Sequence, residues 1–439
     1  MIMRLVLVRH GLSSFNKEGL VQGRTNKSCL SEEGYSQAKL TGKVLNEIKF
    51  DQIYSSPLIR AAETAKEIEK CFDINFDIRY DKNLLEVDLD KWSGLSINEI
   101  KNRYEDSYAI WKIDPEKLKL KKNDNTTYYP IQDLFEQAEE FIYKLKKENE
   151  NKTNQNILII AHNAILRCII LYLLNKPKKG FRKIKLDNAS ISIINISESI
   201  NSFETQIECL NQTSHLGLKI PKKIGRARII LVRHGETDWN RAGRFQGQID
   251  IPLNEVGKEQ AKKASKYLEE IKFTKAFSSS MQRPYETAQI ILKGNNISIK
   301  KIENLVEISH GLWEGKLEEE IKLKWSEMLE DWHTKPQSVI MPEGETIKQV
   351  SDRALSAWNY ICEIQEDNDT SLVVAHDAVN KTLICDILGL DYSNIWMIKQ
   401  GNGGISIIDI FENKDSILSA LNITTHLGQI IDTTASGAL

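Results

Sequence analysis

The sequence predicts a layered α/β fold that is built twice along the chain. Short apolar runs rich in β-branched residues, which are typical of strands buried on both faces, alternate with longer segments that carry apolar residues at helical spacing. This alternation favours a mainly parallel sheet with helices packed against it. The same motifs also occur twice in the same order, which indicates a duplicated domain.

Six sequence blocks recur in the two halves of the chain. Two clear pairs are LVLVRHG (5–11) with IILVRHG (229–235), and YSSPLIRAAETA (54–65) with FSSSMQRPYETA (277–288). The remaining pairs are residues 30–38 with 253–261, 83–94 with 304–315, 159–164 with 373–378, and 211–217 with 422–428. Because the order of the blocks never changes, duplication explains them better than chance.

The repeat predicts two domains joined by a short connector. We expect the first domain at residues 1–218 and the second at 229–431, since each then has an ordinary size for a single core. Residues 219–228 contain a proline, a glycine and several basic residues, which are typical of a linker. Residues 432–439 are small and mostly polar, and they predict a frayed tail.

The individual elements follow from local patterns. The apolar runs of strand length are residues 4–8, 157–161 and 190–196. Helical periodicity covers 37–48 and 260–271, and Ser31 and Asn254 are the expected N-caps. In both copies an Arg-His-Gly triplet and a second histidine follow directly on predicted strands. We therefore expect these groups at the carboxyl edge of the sheet, where ligands bind in such folds.

Composition argues against several classes of partner and location. The chain has 59 basic and 61 acidic residues, a net charge of -2, which gives no support to a nucleic-acid or membrane-surface partner. The six cysteines are scattered, which predicts reduced thiols in a reducing compartment. No apolar stretch approaches the length of a bilayer span and Arg4 interrupts the first one, so we expect a cytoplasmic protein. The oligomeric state is left open.

A small set of charged or titratable residues recurs in both copies. The set comprises Arg9, His10, Arg60, Glu86 and His162 in the first copy, and Arg233, His234, Arg283, Glu307 and His376 in the second. Only 15 of the 59 basic residues are arginines, yet four of them occupy these matched positions. A guanidinium grips an oxyanion at two points, whereas an ammonium is a point charge. The choice of arginine therefore favours a pocket for a dianion such as a phosphoryl group.

These residue types predict phosphoryl transfer with no metal ion and no cofactor. The sequence has no HExxH motif and no glycine-rich phosphate loop, so protein cations would have to neutralise the phosphoryl oxygens. A neutral imidazole can attack phosphorus without a separate base. We expect Glu86 or Glu307 to protonate the leaving oxygen and then to activate the water that cleaves phosphohistidine. The expected ligand is a small phosphorylated metabolite.

Other histidines and tryptophans have different expectations. His310 and His333 have no counterpart in the first copy and are expected at the surface or at a pocket rim. Trp92 and Trp313 recur, and each is expected either in the core or in a pocket wall.

The segment LVRHGETDWN (231–240) resembles the signature of the histidine phosphatase superfamily, in its phosphoglycerate mutase-like branch. The resemblance covers nearly the whole chain as two tandem copies, and it implies three-layer α/β/α domains and a phosphohistidine intermediate formed without metal. For the second copy it implies that His234 is the nucleophile and Glu307 the proton donor and acceptor. It also implies a set of phosphate- and substrate-binding residues: Arg233, Asn240, Gln246, Gly247, Arg283 and His376.

The first copy matches the family at most positions. The matching residues are Arg9, His10, Asn16, Gln22, Gly23, Arg60, Glu86 and His162. Leu12, however, stands where the second copy has Glu236, and YPIQD (129–133) stands for the PEGET segment at 342–346. Two alternatives therefore remain for this copy: an active domain with altered substrate recognition, or a regulatory domain that still binds phosphate.

Three functions remain open at this level. They are a metal-independent phosphomonoesterase acting on a sugar or sugar-acid phosphate, a phosphoglycerate mutase, and a phospholigand-binding regulatory protein. Residues 307–315 (EISHGLWEG) are similar to the phosphatases of the superfamily and do not contain the Arg-His-Tyr-Gly stretch of the mutases. The tandem copies also resemble carboxyarabinitol-phosphate phosphatase-like proteins. The phosphatase is therefore the preferred hypothesis.

Overall fold

The chain folds into two compact units. A computed structural model describes residues 2–122, 124–175, 180–199, 202–412, 415–428 and 430–435. The first unit comprises Met1–Thr205 and Asn211–Leu218, and the second comprises Gln206–Leu210 and Lys219–Leu439. Each unit contains a three-layer α/β/α domain, as the sequence predicts.

The first unit alternates strands and helices around one sheet. Its strands are β1 (Ile2–Arg9), β2 (Gln52–Ser55), β3 (Ile78–Tyr80), β4 (Leu120–Lys121), β5 (Thr127–Tyr128), β6 (Gln155–Ala161), β7 (Ile191–Ser199) and the two ends of β8 (Ser202–Gln212), whose residues Gln206–Leu210 belong to the second unit. Its helices are α1 (Ser14–Glu18), α2 (Glu32–Leu45), α3 (Ile59–Glu69), α4 (Ile97–Arg103), α5 (Glu105–Ile113), α6 (Pro130–Asn149) and α7 (Asn163–Leu173). The sheet order is β8-β7-β1-β6-β2-β3, in which β1, β6, β2 and β3 are parallel and β7 is antiparallel to β1.

The second unit repeats this topology. Its strands are β9 (Ala227–Arg233), β10 (Lys275–Ser279), β11 (Ile299–Ile302), β12 (Thr370–Ala375), β13 (Ile405–Ile410) and β14 (Ser416–Ile423). Its helices are α8 (Asp238–Ala242), α9 (Glu255–Tyr267), α10 (Gln282–Ile291), α11 (Glu318–Thr334), α12 (Ile347–Glu363) and α13 (Asp377–Leu388). The order is β14-β13-β9-β12-β10-β11, with β9, β12, β10 and β11 parallel and β13 antiparallel to β9.

The central strands form where the sequence predicts apolar runs. The runs at 4–8, 157–161 and 190–196 lie in β1, β6 and β7, and their apolar side chains are buried. Helix pairs cover the parallel strands, since α2 packs on α3 and α6 on α7, while α9 packs on α10 and α12 on α13. Strands enclosed in this way must be apolar on both faces, which explains their continuous runs.

Both predicted N-caps are present, but the helices end earlier than predicted. The Ser31 side chain accepts the Gly34 N–H at the start of α2, and Asn254 plays the same role in α9. Helix α2 ends at Leu45, before the end of its apolar periodicity. The next turn brings Ile48 back into the core, where it is buried. Apolar spacing therefore persists beyond the helix because the following turn packs on the same core.

The segments between and after the repeats carry ordered contacts. Strand β9 begins at Ala227, so the last residues of the expected connector lie in a strand, and Arg228 forms a buried ion pair with Asp409 at 2.7 Å. In the expected tail, Asp432 is buried and accepts the backbone N–H of Thr434 at 2.9 Å. Among the described helices, none has the length and apolar character that a bilayer span demands.

Candidate active sites

Neighbouring parallel strands bring two histidines together in each unit. In the second unit His234 follows β9 and His376 follows β12, and these strands pair along their length. The two imidazole ring centroids lie 5.1 Å apart. In the first unit His10 and His162 follow β1 and β6 and are also 5.1 Å apart. The structure therefore brings together the histidines that the sequence places at the carboxyl edge of the sheet.

The loop that carries His234 is held by close backbone packing. The Oγ1 of Thr287 accepts the N–H of Gly235 at 3.1 Å. A Cβ on Gly235 would lie 2.4 Å from the carbonyl oxygen of Gly257, so only glycine permits this approach. The imidazole of His234 is thus positioned by the backbone next to it.

Hydrogen bonds fix the tautomer of His234. Its Nδ1 lies 2.7 Å from the carbonyl oxygen of Gly235, which can only accept, so Nδ1 carries the proton. The Nε of Arg283, which can only donate, lies 3.3 Å from Nε2, so Nε2 presents its lone pair. Burial, followed by the charges of Arg283 and Arg233, holds the pKa of His234 well below its usual range. The imidazole is therefore neutral, with a nucleophilic nitrogen beside a guanidinium.

Two buried arginines surround this nitrogen. Arg283 donates from Nη2 to the carbonyl oxygen of Gly247 at 2.8 Å, and Gly247 has a φ of +55°, which favours glycine. Burial lowers the pKa of Arg283 to about 10, so it stays charged at neutral pH. Arg233 donates from Nη1 to the carbonyl oxygen of Gln400, while its Nε has no hydrogen-bond partner among the described residues. Unsatisfied buried donors of this kind are suited to an anion.

His376 supplies a further donor beside His234. Its Nε2 lies 2.9 Å from the hydroxyl oxygen of Ser279, which also accepts the N–H of Met281 at 3.4 Å. When the Ser279 hydroxyl donates to Nε2, the ring proton is on Nδ1 and is available to a ligand. No described residue pairs with that Nδ1. Burial, followed by the charge of Arg283, lowers the pKa of His376 well below its usual range, so the ring is neutral.

Glu307 lies against the start of α13. Its Oε2 accepts the backbone N–H of Asp377 at 3.0 Å, and its Oε1 accepts the N–H of Ile308 at 3.0 Å. Burial and then the carboxylate of Asp377 raise the pKa of Glu307. A raised pKa leaves a larger fraction of the carboxyl protonated near neutral pH, as a proton donor requires.

Asn240 and Gln246 line the same cavity. The Oδ1 of Asn240 accepts the N–H of Thr237 at 3.1 Å and the Nδ2 of Asn402 at 3.3 Å, so the amide nitrogen of Asn240 remains available to donate. Gln246 donates to the Thr237 hydroxyl at 2.7 Å. Asn402 also donates to the carbonyl oxygen of His234 at 3.2 Å, which ties the nucleophile loop to the asparagine.

The first unit repeats the glycine contacts of the nucleophile and its arginine, whereas the Nε of Arg60 has no hydrogen-bond partner among the described residues. The Nδ1 of His10 lies 2.7 Å from the carbonyl oxygen of Gly11, and burial, followed by the charge of Arg60, holds its pKa well below the usual range. Arg60 donates to the carbonyl oxygen of Gly23 at 2.8 Å, and Gly23 has a φ of +51°. His10 is therefore also a neutral imidazole next to a buried guanidinium.

The remaining predicted groups of the first unit also match. His162 lies 2.8 Å from the Ser56 hydroxyl, and neither its Nδ1 nor the Nε of Arg9 has a partner among the described residues. Glu86 accepts the N–H of Ala164 at 3.1 Å, at the start of α7. A separate contact joins Gln22 to the Ser13 hydroxyl at 3.0 Å, and Ser13 also bonds Asn16 at 3.0 Å.

The structure revises both features that set the first copy apart in the sequence. Glu236 directs its carboxylate to Arg241 and Asn254, both at 2.9 Å, so Leu12 replaces a structural residue rather than a pocket group. The segment 129–133 is not the counterpart of the PEGET segment, because Pro130 already begins α6 whereas PEGET precedes α12. That alignment is wrong because the insertion containing β4 and β5 hides the true register.

The cavities at the two sites differ in size and lining. The second-unit cavity is about 10 Å³, little more than one water molecule, and is lined by Arg233, His234, Asn240, Gln246, Gly247, Arg283, Glu307 and His310. A second cavity of this unit, of about 220 Å³, has Phe245, Asp377, Lys381 and Trp396 in its wall. The first-unit cavity is about 280 Å³ and has Arg9 and Glu86, but not His10, in its wall. Its polar lining includes Arg9, Asn16, Gln22, Gly23 and Glu86, and the rest of its wall is largely apolar and aromatic.

For His310 the surface alternative is wrong and the pocket alternative holds, because this histidine is buried and lines the second-unit cavity. This side chain is 1% exposed and packs against Phe245 and Trp332, with ring centroids 5.0 and 5.9 Å away. Burial among these rings lowers its pKa to about 3. Trp92 and Trp313 are both buried, as expected of core residues. Only Trp92 also lines the described cavity of its own unit, as expected of a pocket wall.

Several site residues were missed from the sequence although they repeat. Asn188 donates to the carbonyl oxygen of His10 at 3.0 Å and to Asn16 at 3.1 Å, as Asn402 does in the second unit. Two more sets of matching residues were missed, namely Ser56 in the first unit with Ser279 in the second, and Thr64 with Thr287. Their recurrence in both copies was the available signal, but small polar residues do not reveal a role without their contacts.

Known proteins match this chain over both units. A family model described as the histidine phosphatase superfamily (branch 1) matches residues 5–207 and 229–423. Phosphoserine phosphatase 1 of Hydrogenobacter thermophilus is 36% identical over 46% of this chain and 95% of its own length. The 2-carboxy-D-arabinitol-1-phosphatase of Triticum aestivum is 25% identical over 97% of this chain and 87% of its own length. The solved structure of Bacillus stearothermophilus YhfR is 31% identical over 46% of this chain and 99% of its own, with a TM-score of 0.44.

The family matches cover both copies of the motif block and both sets of hydrogen-bonded polar residues. They extend over most of the chain and leave out only the segment between the copies and the two ends. The chain therefore belongs to the histidine phosphatase superfamily (branch 1), carries the family's domain twice, and is an enzyme of the phosphatase type.

Proposed function

We propose that this chain is a metal-independent phosphomonoesterase that hydrolyses a small phosphorylated metabolite, of the sugar or sugar-acid phosphate class, through a phosphohistidine. The observation that carries the proposal is the neutral His234, whose Nε2 lone pair lies beside the guanidinium of Arg283. The sugar-acid class draws support from the wheat relative that matches nearly the whole chain and is named for such a phosphate.

In the first step the Nε2 of His234 attacks phosphorus, the nitrogen–phosphorus bond forms and the ester oxygen leaves. Arg233, Arg283, the N–H of His376 and the amide of Asn240 hold the equatorial oxygens, while Gln246 and Gly247 border the substrate. A single such donor is typically worth about 10²–10³ in rate. The carbonyl oxygen of Gly235 stabilises the positive ring of phosphohistidine through Nδ1. The carboxyl group of Glu307 gives its proton to the leaving oxygen.

In the second step the ionised Glu307 takes a proton from a water molecule. The water oxygen forms a bond to phosphorus, the nitrogen–phosphorus bond breaks, and inorganic phosphate leaves. His234 returns to its neutral form and Glu307 is protonated again. The raised pKa of Glu307 suits both steps, because the carboxyl must donate and then accept a proton near neutral pH.

The first domain carries the same proposal. His10 is its nucleophile and Glu86 its acid and base, with Arg9, Arg60 and His162 around the phosphoryl group and Asn16, Gln22 and Gly23 beside it. The support is that His10 and Arg60 bond glycine carbonyl oxygens as His234 and Arg283 do. Among the described residues, the contact between arginine and histidine is found only in the second domain. The contacts of Glu236 remove one reason to regard this copy as inactive.

The experiment uses the full chain with His10→Ala, His234→Ala and the double substitution. Hydrolysis of a panel of phosphorylated sugars and sugar acids is measured in the presence of a chelator. Acid-labile protein phosphate is trapped at short times from a labelled substrate. We expect each single variant to keep the phosphoenzyme of the other domain, and the double variant to lose both. His333→Ala is the matched control, because this histidine is exposed and does not line the cavity at His234.

Other outcomes would replace the proposal. Turnover only with phosphoglycerate and its bisphosphate would indicate a mutase. Binding of phosphate esters without turnover in either domain would indicate a regulatory protein. Full activity in the double variant would exclude both histidines as nucleophiles.

A further inference from the structure

The cavity of the first domain contains two arginines that the proposed reaction does not use. Arg167 lies on α7 and Arg182 follows that helix, and both line the cavity. Neither forms an ion pair with any residue that the structure describes. The Nε atoms of both are buried and have no hydrogen-bond partner within the same part of the chain.

Aromatic rings rather than carboxylates surround these two guanidiniums. The Arg182 guanidinium lies 4.8 Å from the ring centroid of Trp111, and that of Arg167 lies 5.5 Å from Phe181. Tyr108 lines the same wall. Cation–π contacts compensate part of the lost hydration, but they leave the positive charge without a counterion.

The charges persist at neutral pH. Burial, followed by the nearby charges of Arg182 and Arg9, lowers the pKa of Arg167 to about 10. Both side chains are therefore cationic under ordinary conditions, and they repel each other. An anionic group that binds between them would relieve that repulsion and fill the empty donors.

At the matching positions the second domain has an ion-paired lysine and an uncharged tryptophan. Lys381 corresponds to Arg167, and its Nζ lies 3.0 Å from the carboxylate of Asp377. The counterpart of Asp377 in the first domain is Asn163, which has no charge to offer. The counterpart of Arg182 is Trp396. The uncompensated arginine pair therefore belongs to the first domain only.

We propose that Arg167 and Arg182 form a second anion subsite, so that the first domain selects phosphate esters carrying a further anionic group on a planar or apolar body. The phosphoryl group would lie at His10, a placement that rests on the proposed function. The body would lie against Trp111 and Tyr108, in the cavity of about 280 Å³. The second domain has a cavity of about 220 Å³ at the matching place, but its wall holds the ion-paired Lys381 and the uncharged Trp396, so it would accept such esters poorly.

The test uses the full chain with His234→Ala, so that only the first domain turns over. The probes are phosphate monoesters of hydroxyphenyl-alkanoic acids with spacers of increasing length, each paired with its uncharged primary amide. We expect the carboxylate to exceed its amide in kcat/KM by about 10- to 100-fold at the best spacer, the range of one charge-assisted hydrogen-bonded contact. Arg167→Gln and Arg182→Gln should each bring this ratio close to one.

Two further variants sharpen the result. Asn163→Asp gives Arg167 the internal counterion that Asp377 gives Lys381, and should lower the ratio without removing any arginine. Arg103→Gln is the matched control, because this arginine lies on α4 and is exposed, and it should leave the ratio unchanged. Arg167→Lys keeps the positive charge and should therefore retain part of the preference for the carboxylate over its amide.

The outcomes separate this subsite from the proposed function. Turnover with no preference for the carboxylate, or a preference that survives Arg167→Gln, would overturn the subsite and leave the hydrolase proposal intact. If the first domain shows no turnover, the same ester pairs are titrated calorimetrically into the His10→Ala, His234→Ala double variant. Tighter binding of the carboxylate that Arg167→Gln abolishes would support the subsite alone, and equal affinities would overturn it.

Discussion

The two domains share one reacting centre and differ in the walls around it. In both, a glycine carbonyl fixes the proton on Nδ1 of the nucleophile candidate, and a second glycine carbonyl holds the adjacent arginine. In the first domain one cavity of about 280 Å³ reaches from Glu86 to Arg167 and Arg182. In the second domain a cavity of about 10 Å³ at His234 is distinct from one of about 220 Å³ that is lined by Lys381 and Trp396. Duplication has therefore kept the hydrogen-bonded groups and changed the side chains that decide which molecule can enter.

Two substitutions set the wall of the second domain apart. Phe245 occupies the position of Val21, and His310 occupies that of Leu89. Their rings lie 5.0 Å apart, with His310 in the wall of the cavity at His234 and Phe245 in the wall of the larger cavity. Each ring packs against a buried tryptophan, so this wall is a packed feature of the second domain.

The largest expected effect tests whether the two domains share the same acid. Glu307→Gln is measured in the His10→Ala chain, and Glu86→Gln in the His234→Ala chain. Each should lower kcat/KM for an alkyl phosphate by about 10²–10⁴-fold. The loss should be smaller with 4-nitrophenyl phosphate, whose leaving group needs no proton. An equal loss with both esters would make the carboxyl structural. If the loss differs between the two esters in only one domain, the two centres differ in chemistry.

The next effect compares the two aromatic walls by stability. Trp332 is fully buried against His310 and Trp396, whereas its counterpart Trp111 lines the open cavity. Trp332→Ala should therefore destabilise the second domain by about 3–5 kcal/mol, as expected for a large buried ring. Trp111→Ala should cost less in the first domain. Scanning calorimetry of the full chain measures both, and equal losses would contradict the contrast between closed and open walls.

Much of the fold and the reacting set could be predicted because they leave a pattern that repeats. The strand runs, the caps at Ser31 and Asn254 and the matched arginines and histidines follow from local rules applied twice. The helix ends could not be placed, since Ile48 reaches the core through a turn rather than through the helix. Local periodicity does not distinguish these two routes to the core.

The walls of the cavities could not be predicted for a different reason. His310 has the same side chain whether it is exposed or buried, and only its packing against Phe245 and Trp332 decides which. Likewise, the lack of a counterion at Arg167 depends on Asn163, an uncharged residue that no motif marks. Differences between copies are informative only once the structure shows which residues meet.

A moderate effect should follow from exchanging the wall residues. Phe245→Val removes an aromatic ring from the wall of the larger second-domain cavity. With His10→Ala present, it should raise kcat/KM for an aryl phosphate relative to a small alkyl phosphate by about 10-fold. Val21→Phe in the His234→Ala chain should lower the same ratio in the first domain. Thermal melting of both variants checks that the domains remain folded. A ratio that stays constant in both variants would show that these side chains do not control entry.

The smallest expected effect is a shift in pH dependence. Burial and then the carboxylate of Asp377 raise the pKa of Glu307, so Asp377→Asn should lower it. Since the first step needs protonated Glu307, kcat/KM falls as pH rises through that pKa. In the His10→Ala chain, Asp377→Asn should therefore move this alkaline limb to lower pH. Lys348→Gln, a charge change on the exposed start of α12, should leave the limb in place. If the alkaline limb stays in place with Asp377→Asn, a group other than Glu307 sets it. A shift would show that one residue at the start of α13 tunes the acid of the second domain. The first domain has the neutral Asn163 at that position.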